Sequence, residues 1–209
     1  MKLIDGPAVI VVGPWNPRIF TPDWITRELF HTENDQDVYV EFPLSFANVP
    51  PRVTFKDITL SVSESKLTAG LKERTEENYS LLRSVVSRAL NALSHTPIKG
   101  IGVNFIYSFD SVPSEIVRLF SLADTESISN FGAGVMATSV KRVLSSEKFC
   151  GAILNLNFDM NDSDQISAQF NFHYETTSAK EAADKLGDFS LLEDASVQVL
   201  ERIYGCEKD

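Results

Sequence analysis

Histidine and cysteine are the side chains that most readily act as metal ligands or nucleophiles, and this sequence has three of the first and two of the second. His31, His95 and His173 lie far apart, and none has a second histidine or cysteine within about five residues, as zinc sites do. Cys150 and Cys206 have no histidine nearby in the sequence, and Cys150 is expected to be a buried, inert thiol. The sequence therefore predicts no metal site, no cofactor and no catalytic residue, and it favours a protein that is not an enzyme.

Two groups of residues are candidates for binding. The first lies in the proline-bounded loop at residues 13–20, where Trp15 and Arg18 are of the types that dominate interaction hot spots. This loop either anchors a partner or closes one end of a sheet. The second group is His95, Asn104 and Tyr107, which would line a small-ligand or hydrolase site between a sheet and a long helix.

Elements predicted from hydropathy periodicity must position these residues. In the first half, a strand at 8–12 and a helix at 22–30 precede strands at 38–42 and 53–55, a hairpin at 58–71 and an amphipathic helix at 76–94. In the second half, a strand at 101–109 and a short helix at 113–122 precede a strand at 134–144, a hairpin at 150–175 and a helix at 179–204, which Gly187 interrupts.

Both halves therefore have the same order of elements: strand, helix, antiparallel strands and long helix. This order predicts an α+β fold built as a tandem pseudo-repeat, with the helices packed on a curved antiparallel sheet. The predicted boundary separates an N-terminal half, residues 1–97, from an acidic C-terminal half, residues 98–209, unless the two are fused in one domain.

The sheet face that the alternation turns away from the core is polar and carries almost no charge. On the 150–175 hairpin and the 101–109 strand, the residues expected to form an interface are two isoleucines, four amides and a histidine: Ile106, Ile153, Asn155, Asn157, Gln169, Asn171 and His173. Lys or Glu usually guards exposed sheets, so a neutral polar face suits contact with another surface. The alternative is a sheet whose amides are merely hydrated.

The charge balance limits the classes of partner. The sequence has 19 basic and 29 acidic residues, for a formal net charge of −10, and 17 of the acids but only 8 of the bases lie in residues 110–209. A field of this sign disfavours nucleic-acid binding and suits a basic protein partner. No run of about 20 apolar residues could span a membrane, and the N-terminus lacks a signal-peptide pattern, which predicts a cytoplasmic protein.

The favoured function is a protein-interaction or assembly subunit that forms a homodimer through its sheet face, because a self-complementary patch closes a two-fold dimer. Two alternatives stay open. One is the small-ligand binder or hydrolase described above. The other is an inhibitor whose acidic C-terminal half mimics nucleic acid and so occupies a nucleic-acid-binding partner.

Several short motifs also resemble a family of functionally uncharacterised bacterial proteins. The motifs are Asn16–Arg18 leading into Phe20–Pro22, then Pro51-Arg52 followed by Phe55, and His95–Pro97 followed by Gly102, Asn104 and Phe105. The resemblance covers roughly the first half of the chain. It implies a bacterial or phage origin and a role within a multi-gene system, and it offers no catalytic residues to transfer to this sequence.

Overall fold

A computed structural model of the chain describes residues 1–4, 6–31, 38–41, 50–161 and 165–207. Its first elements are β1 (Lys2–Ile4), β2 (Pro7–Val12) and α1 (Pro22–Trp24), which continues as a π-helical segment (Ile25–Phe30). Four strands and a long helix follow: β3 (Val38–Glu41), β4 (Arg52–Phe55), β5 (Ile58–Val62), β6 (Lys66–Leu71) and α2 (Glu76–Ala92).

The second half repeats this order. It begins with β7 (Gly100–Ser108) and α3 (Ser114–Val117), which continues as a 3-10 turn (Arg118–Phe120). The remaining elements are α4 (Thr125–Asn130), β8 (Thr138–Ser145), β9 (Ile153–Met160), β10 (Ile166–Glu175), α5 (Ala179–Lys185) and α6 (Phe189–Tyr204).

The strands that the structure describes form one open antiparallel sheet in the order β3-β4-β5-β6-β2-β7-β10-β9-β8, and β1 pairs with β7. In the first half, the first strand of the repeat, β2, lies beside the last, β6. In the second half, β7 likewise lies beside β10. The predicted α+β pseudo-repeat is confirmed by this recurring strand order and by the long helix that follows each set of strands.

The described chain divides into two compact units. Unit 1 contains the described residues within 1–4, 105–172 and 191–207, and unit 2 contains the described residues within 6–104 and 173–190. Strands β7 and β10 and helix α6 contribute residues to both. The division of the chain after residue 97 stays a prediction.

In unit 2, α2 provides the helical layer. The helix begins after Thr75, whose hydroxyl accepts a hydrogen bond from the backbone N–H of Asn78 at 3.2 Å. The apolar side chains on one face of the helix are buried, and it packs against β6, α5 and the π-helical segment. The strands of this unit bury alternate residues, which is the pattern expected of a sheet with a helix on one face.

In unit 1, alternate side chains of β9 and β10 form the core: Leu154, Leu156, Phe158, Ala168, Phe170 and Phe172. Helix α6 packs on this side of the sheet, where the rings of Phe158 and Tyr204 lie 4.8 Å apart in an edge-to-face contact. The side chains between these core residues therefore project from the opposite face of the sheet.

The structure corrects some predicted details. The strand predicted from residue 150 begins at Ile153, because Cys150 has a φ of 53° and Gly151 a φ of 82°, which no strand accommodates. Cys150 is consequently exposed rather than buried. Helix α6 begins beyond Gly187, so the predicted interruption is correct. The turn predicted within the hairpin falls mostly on residues 162–164, which lie outside the described residues.

Candidate interaction face

The predicted interface residues of unit 1 that carry amides share one sheet face. Asn155, Asn157, Gln169 and Asn171 occupy the positions of β9 and β10 between the buried core residues, and all four are half-buried or exposed. The edge strand β8 adds Ser139, which lies opposite Asp159 in the β8–β9 register. We call these six residues the amide face.

Asp159 connects three strands on the amide face. Its Oδ2 accepts hydrogen bonds from Asn157 Nδ2 at 2.7 Å and from Gln169 Nε2 at 2.9 Å, and its Oδ1 accepts one from the Ser139 hydroxyl. Donation from three sources disperses the charge of this carboxylate and fixes the orientation of both amides. The amides are therefore held in place before any partner arrives.

A second pair of amides lies farther along the same strands. Asn155 Nδ2 donates to Asn171 Oδ1 at 3.3 Å. In these bonds Asn155, Asn157 and Gln169 donate through their side-chain nitrogens, so their side-chain oxygens are not used in them and each amide retains an acceptor. The face therefore presents both donors and acceptors to its surroundings.

Two apolar side chains are exposed beside the amides. Ile153, at the start of β9, is 44% exposed, and Val143, opposite Asn155 on β8, is 62% exposed. Ile106 is only half-buried and lies opposite Ile4 in the β1–β7 register, so these two isoleucines form a cross-strand pair. An interface would have apolar contacts at both places.

His173 continues β10 beyond the amide face and belongs to unit 2. A Cβ atom added at Gly100 would lie 2.7 Å from His173 Cε1 and 3.2 Å from the Tyr174 carbonyl oxygen. The histidine ring therefore packs directly over the backbone of β7, and Gly100 permits this close approach. His173 has a structural role here, and its predicted role in an interface stays a prediction.

The structure buries Trp15 instead of presenting it to solvent. The side chain is 4% exposed, its Nε1 donates to the Val11 carbonyl at 3.1 Å, and its ring packs edge-to-face against Phe20. Arg18 is exposed in the following 3-10 turn. Of the two roles considered for this loop, the geometry of Trp15 supports closure of the sheet end.

Asn104 and Tyr107 lie three positions apart on β7, so their side chains project from opposite faces. The Tyr107 hydroxyl is buried 2.6 Å from Ser196 Oγ, whereas Asn104 is half-buried and its Nδ2 donates to the Gly102 carbonyl. His95 is exposed in the turn after α2. One pocket could not contain the side chains of both Asn104 and Tyr107, and the predicted ligand site stays a prediction.

The two cysteines differ in environment. Burial raises the pKa of the Cys206 thiol to about 11, and its side chain is almost inaccessible. Cys150 is exposed. Among the described residues, no group of three or more His, Cys, Asp or Glu side chains is arranged to hold a metal ion.

Sequence reasoning did not identify Asp159 as the centre of the face. The alternation placed its side chain on the outer side of the sheet but at the end of a strand, where a charged residue is common and does not indicate a site. Its importance depends on the register that places Ser139 opposite it, and this register joins strands about twenty residues apart. A search for a lone acid facing amides on neighbouring predicted strands would have found it.

A cleft of about 510 Å³ lies at the Asp159 end of the amide face, and its lining includes Ile4, Ser108, Asp159 and Met160.

In the part of the chain that the structure describes, no helix is both long and apolar enough to cross a bilayer. Comparison of the chain with protein-family models, curated proteins and solved structures finds no match. The site is therefore interpreted from its own geometry.

Proposed function

We propose that this chain is a non-enzymatic protein-interaction or assembly subunit that self-associates through the amide face. The observation that supports this best is a sheet face whose amides are oriented by a network around one carboxylate, Asp159, and which carries exposed apolar side chains beside them. Proteins rarely expose such a combination of neutral hydrogen-bonding groups and apolar residues without a partner.

A second copy is the partner that the chemistry of the face favours. An amide both donates and accepts hydrogen bonds, so a surface of amides is complementary to itself when a two-fold axis brings two copies together. A face with several charges of one sign would repel its own copy. The single carboxylate, Asp159, lies near the end of β9 and is already bonded to three donors.

The net charge of −10 opposes association of two copies at long range. Added salt screens this repulsion, while it changes hydrogen bonds between neutral amides little. Self-association through the amide face should therefore strengthen as the salt concentration rises. A contact between opposite charges would instead weaken.

The test is sedimentation velocity across the micromolar range with the wild-type chain and two matched variants. Asn155→Asp places a carboxylate in the middle of the amide face, and Asn91→Asp makes the same change in charge at an exposed position of α2. We expect Asn155→Asp to raise the dimer dissociation constant about tenfold or more and Asn91→Asp to leave it unchanged. Circular dichroism checks that both variants fold.

Two results would contradict the proposal. One is a wild-type chain that stays monomeric at the highest concentration and salt tested. The other is a dimer that Asn155→Asp and Asn91→Asp weaken equally, since the contact would then lie elsewhere.

A further inference from the structure

The outer edge of strand β8, which borders the amide face at Ser139 and Val143, is a second candidate surface for binding a protein, and it differs from that face in presenting backbone groups and cations. Within the described part of the chain, β8 is the last strand of the sheet, and β9 is the only described strand that pairs with it. The turn Arg118–Phe120 also contacts β8, yet five of the eight residues of β8 are exposed. A strand at the edge of a sheet can present backbone donors and acceptors to an added strand on the side away from its partner.

Two adjacent cations determine which kind of strand would fit. Lys141 and Arg142 are both exposed, β8 contains no acid, and neither cation forms an ion pair with a carboxylate among the described residues. The Arg142 guanidinium donates to the neighbouring Lys141 carbonyl at 3.2 Å. Because they are consecutive, the two side chains project from opposite faces of the strand.

These cations disfavour a second copy at this edge. Two β8 strands related by a two-fold axis would pair antiparallel. In the registers that pair most of the strand, Lys141 lies opposite Lys141 of the other copy, or Arg142 lies opposite Arg142. Directly opposed like charges destabilise strand pairing. An acidic strand would instead meet a cation on each face.

Apolar side chains near the edge add a second requirement. Phe131 is 89% exposed and Met136 is 72% exposed, and both lie in the segment that leads into β8. On the strand itself, Val143 is exposed on the same face as Lys141. A matching partner would combine apolar side chains with acids.

We propose that the free edge of β8 binds an extended segment of a partner protein that has two consecutive acidic residues flanked by β-branched apolar residues. The segment adds to the sheet as a further strand. One acid lies beside Lys141 and the other beside Arg142, on opposite faces, while a flanking apolar side chain packs on Val143. This inference does not depend on self-association through the amide face.

The test uses two fluorescein-labelled peptides, Val-Thr-Val-Glu-Glu-Val-Thr-Val and the same sequence with Lys-Lys in place of Glu-Glu, with binding measured by fluorescence anisotropy. We expect the Glu-Glu peptide to bind the wild-type chain about tenfold more tightly, because two cross-strand charge pairs change from repulsive to attractive. The double variant Lys141→Glu/Arg142→Glu should reverse this preference. Both positions are exposed, so the variant is expected to fold.

Methylation of backbone nitrogens in the Glu-Glu peptide separates strand addition from simple charge attraction. Methyl groups at one set of alternate residues remove every N–H that faces β8, and those at the other set remove only outward N–H groups. We expect only the first pattern to abolish binding. Equal binding of the Glu-Glu and Lys-Lys peptides, or equal effects of the two methylation patterns, would overturn the proposal.

The variant Asn171→Asp distinguishes this site from the amide face, because it adds a carboxylate to that face on β10, which β9 separates from β8. It should self-associate more weakly than the wild-type chain and bind the Glu-Glu peptide as tightly. A loss of peptide binding in Asn171→Asp would place the peptide on the amide face and would overturn the assignment to β8. A monomeric wild-type chain that binds the peptide would refute the proposed dimer alone.

Discussion

We expect Ser196→Ala to destabilise the protein more than Tyr107→Phe, although the two substitutions remove the same hydrogen bond. The Tyr107 hydroxyl lies 2.6 Å from Ser196 Oγ, and both side chains are buried. Ser196 donates its one hydrogen to the Glu193 carbonyl at 2.6 Å, so Tyr107 is the donor in the bond that the two hydroxyls share.

The magnitude follows from the group that each substitution leaves behind. Ser196→Ala deprives a buried phenol of this acceptor, at a cost of about 1–3 kcal/mol, whereas Tyr107→Phe leaves only an oxygen lone pair without its donor and costs about 0.5–1.5 kcal/mol. For a chain of this length, each 1 kcal/mol lowers the Tm by about 2–4 °C. The two variants should therefore have clearly different melting temperatures.

Urea unfolding followed by circular dichroism measures the free energies of unfolding of both single variants and of the double variant. The double variant should lose less stability than the sum of the single losses, by about 1 kcal/mol, because Tyr107→Phe also removes the donor whose acceptor Ser196→Ala takes away. Additive losses, or a larger loss in Tyr107→Phe, would refute the assigned direction of donation. A ligand that binds the wild type and not Tyr107→Phe would show that Tyr107 has more than a structural role.

Three further predictions concern other residues. Gly100→Ala would place a Cβ atom 2.7 Å from the His173 ring and should destabilise the fold by about 1–3 kcal/mol in thermal denaturation; an unchanged Tm would contradict this close packing. Burial raises the pKa of Cys206 to about 11, so a thiol reagent at about pH 8 should modify Cys150 rapidly and Cys206 only after unfolding. Mass spectrometry that finds both cysteines modified at the same rate in the folded chain would contradict this prediction. The unfolded chain releases the Cys206 proton first, so stability should fall as the pH rises from the ordinary thiol value towards 11. Hydrogen bonds donated by the backbone N–H of Thr177 and by its hydroxyl lower the pKa of Glu181. The stability that Glu181 contributes is therefore present at neutral pH and is lost as the pH falls through its folded-state pKa. An NMR titration midpoint at or above the ordinary glutamate value would contradict this.

The sequence predicted the β9–β10 hairpin well because its alternation is nearly uninterrupted. Apolar residues from Leu154 to Phe158 and from Ala168 to Phe172 alternate with amides, and a period of two residues fixes which side chains share a face. Gly187 also marked the break between α5 and α6 correctly, because it separates two apolar stripes at helical spacing. Local patterns were sufficient for these elements.

Other features depend on contacts that a local pattern does not contain. The residue types of the loop at 13–20 left open whether Trp15 anchors a partner or closes the sheet end, and the burial of its ring against Phe20 and the bond from its Nε1 to the backbone lie beyond a local pattern. Cys150 falls on the apolar phase of a strand, but a left-handed backbone at this position ends the strand pattern before it. The hydrogen bonds that Asp159 accepts depend on a register between β8 and β9 that the hydropathy pattern does not specify.

The bonds to Asp159 also affect how the sheet edge can move. An edge strand usually frays from either end, because it has hydrogen bonds on one side only. Ser139, near the start of β8, is bonded to a carboxylate that also accepts hydrogen bonds from β9 and β10, so detachment of this end would disturb three strands at once. We therefore expect β8 to open first at its other end, near Ser145, so that amide hydrogens there exchange before those at the start of the strand.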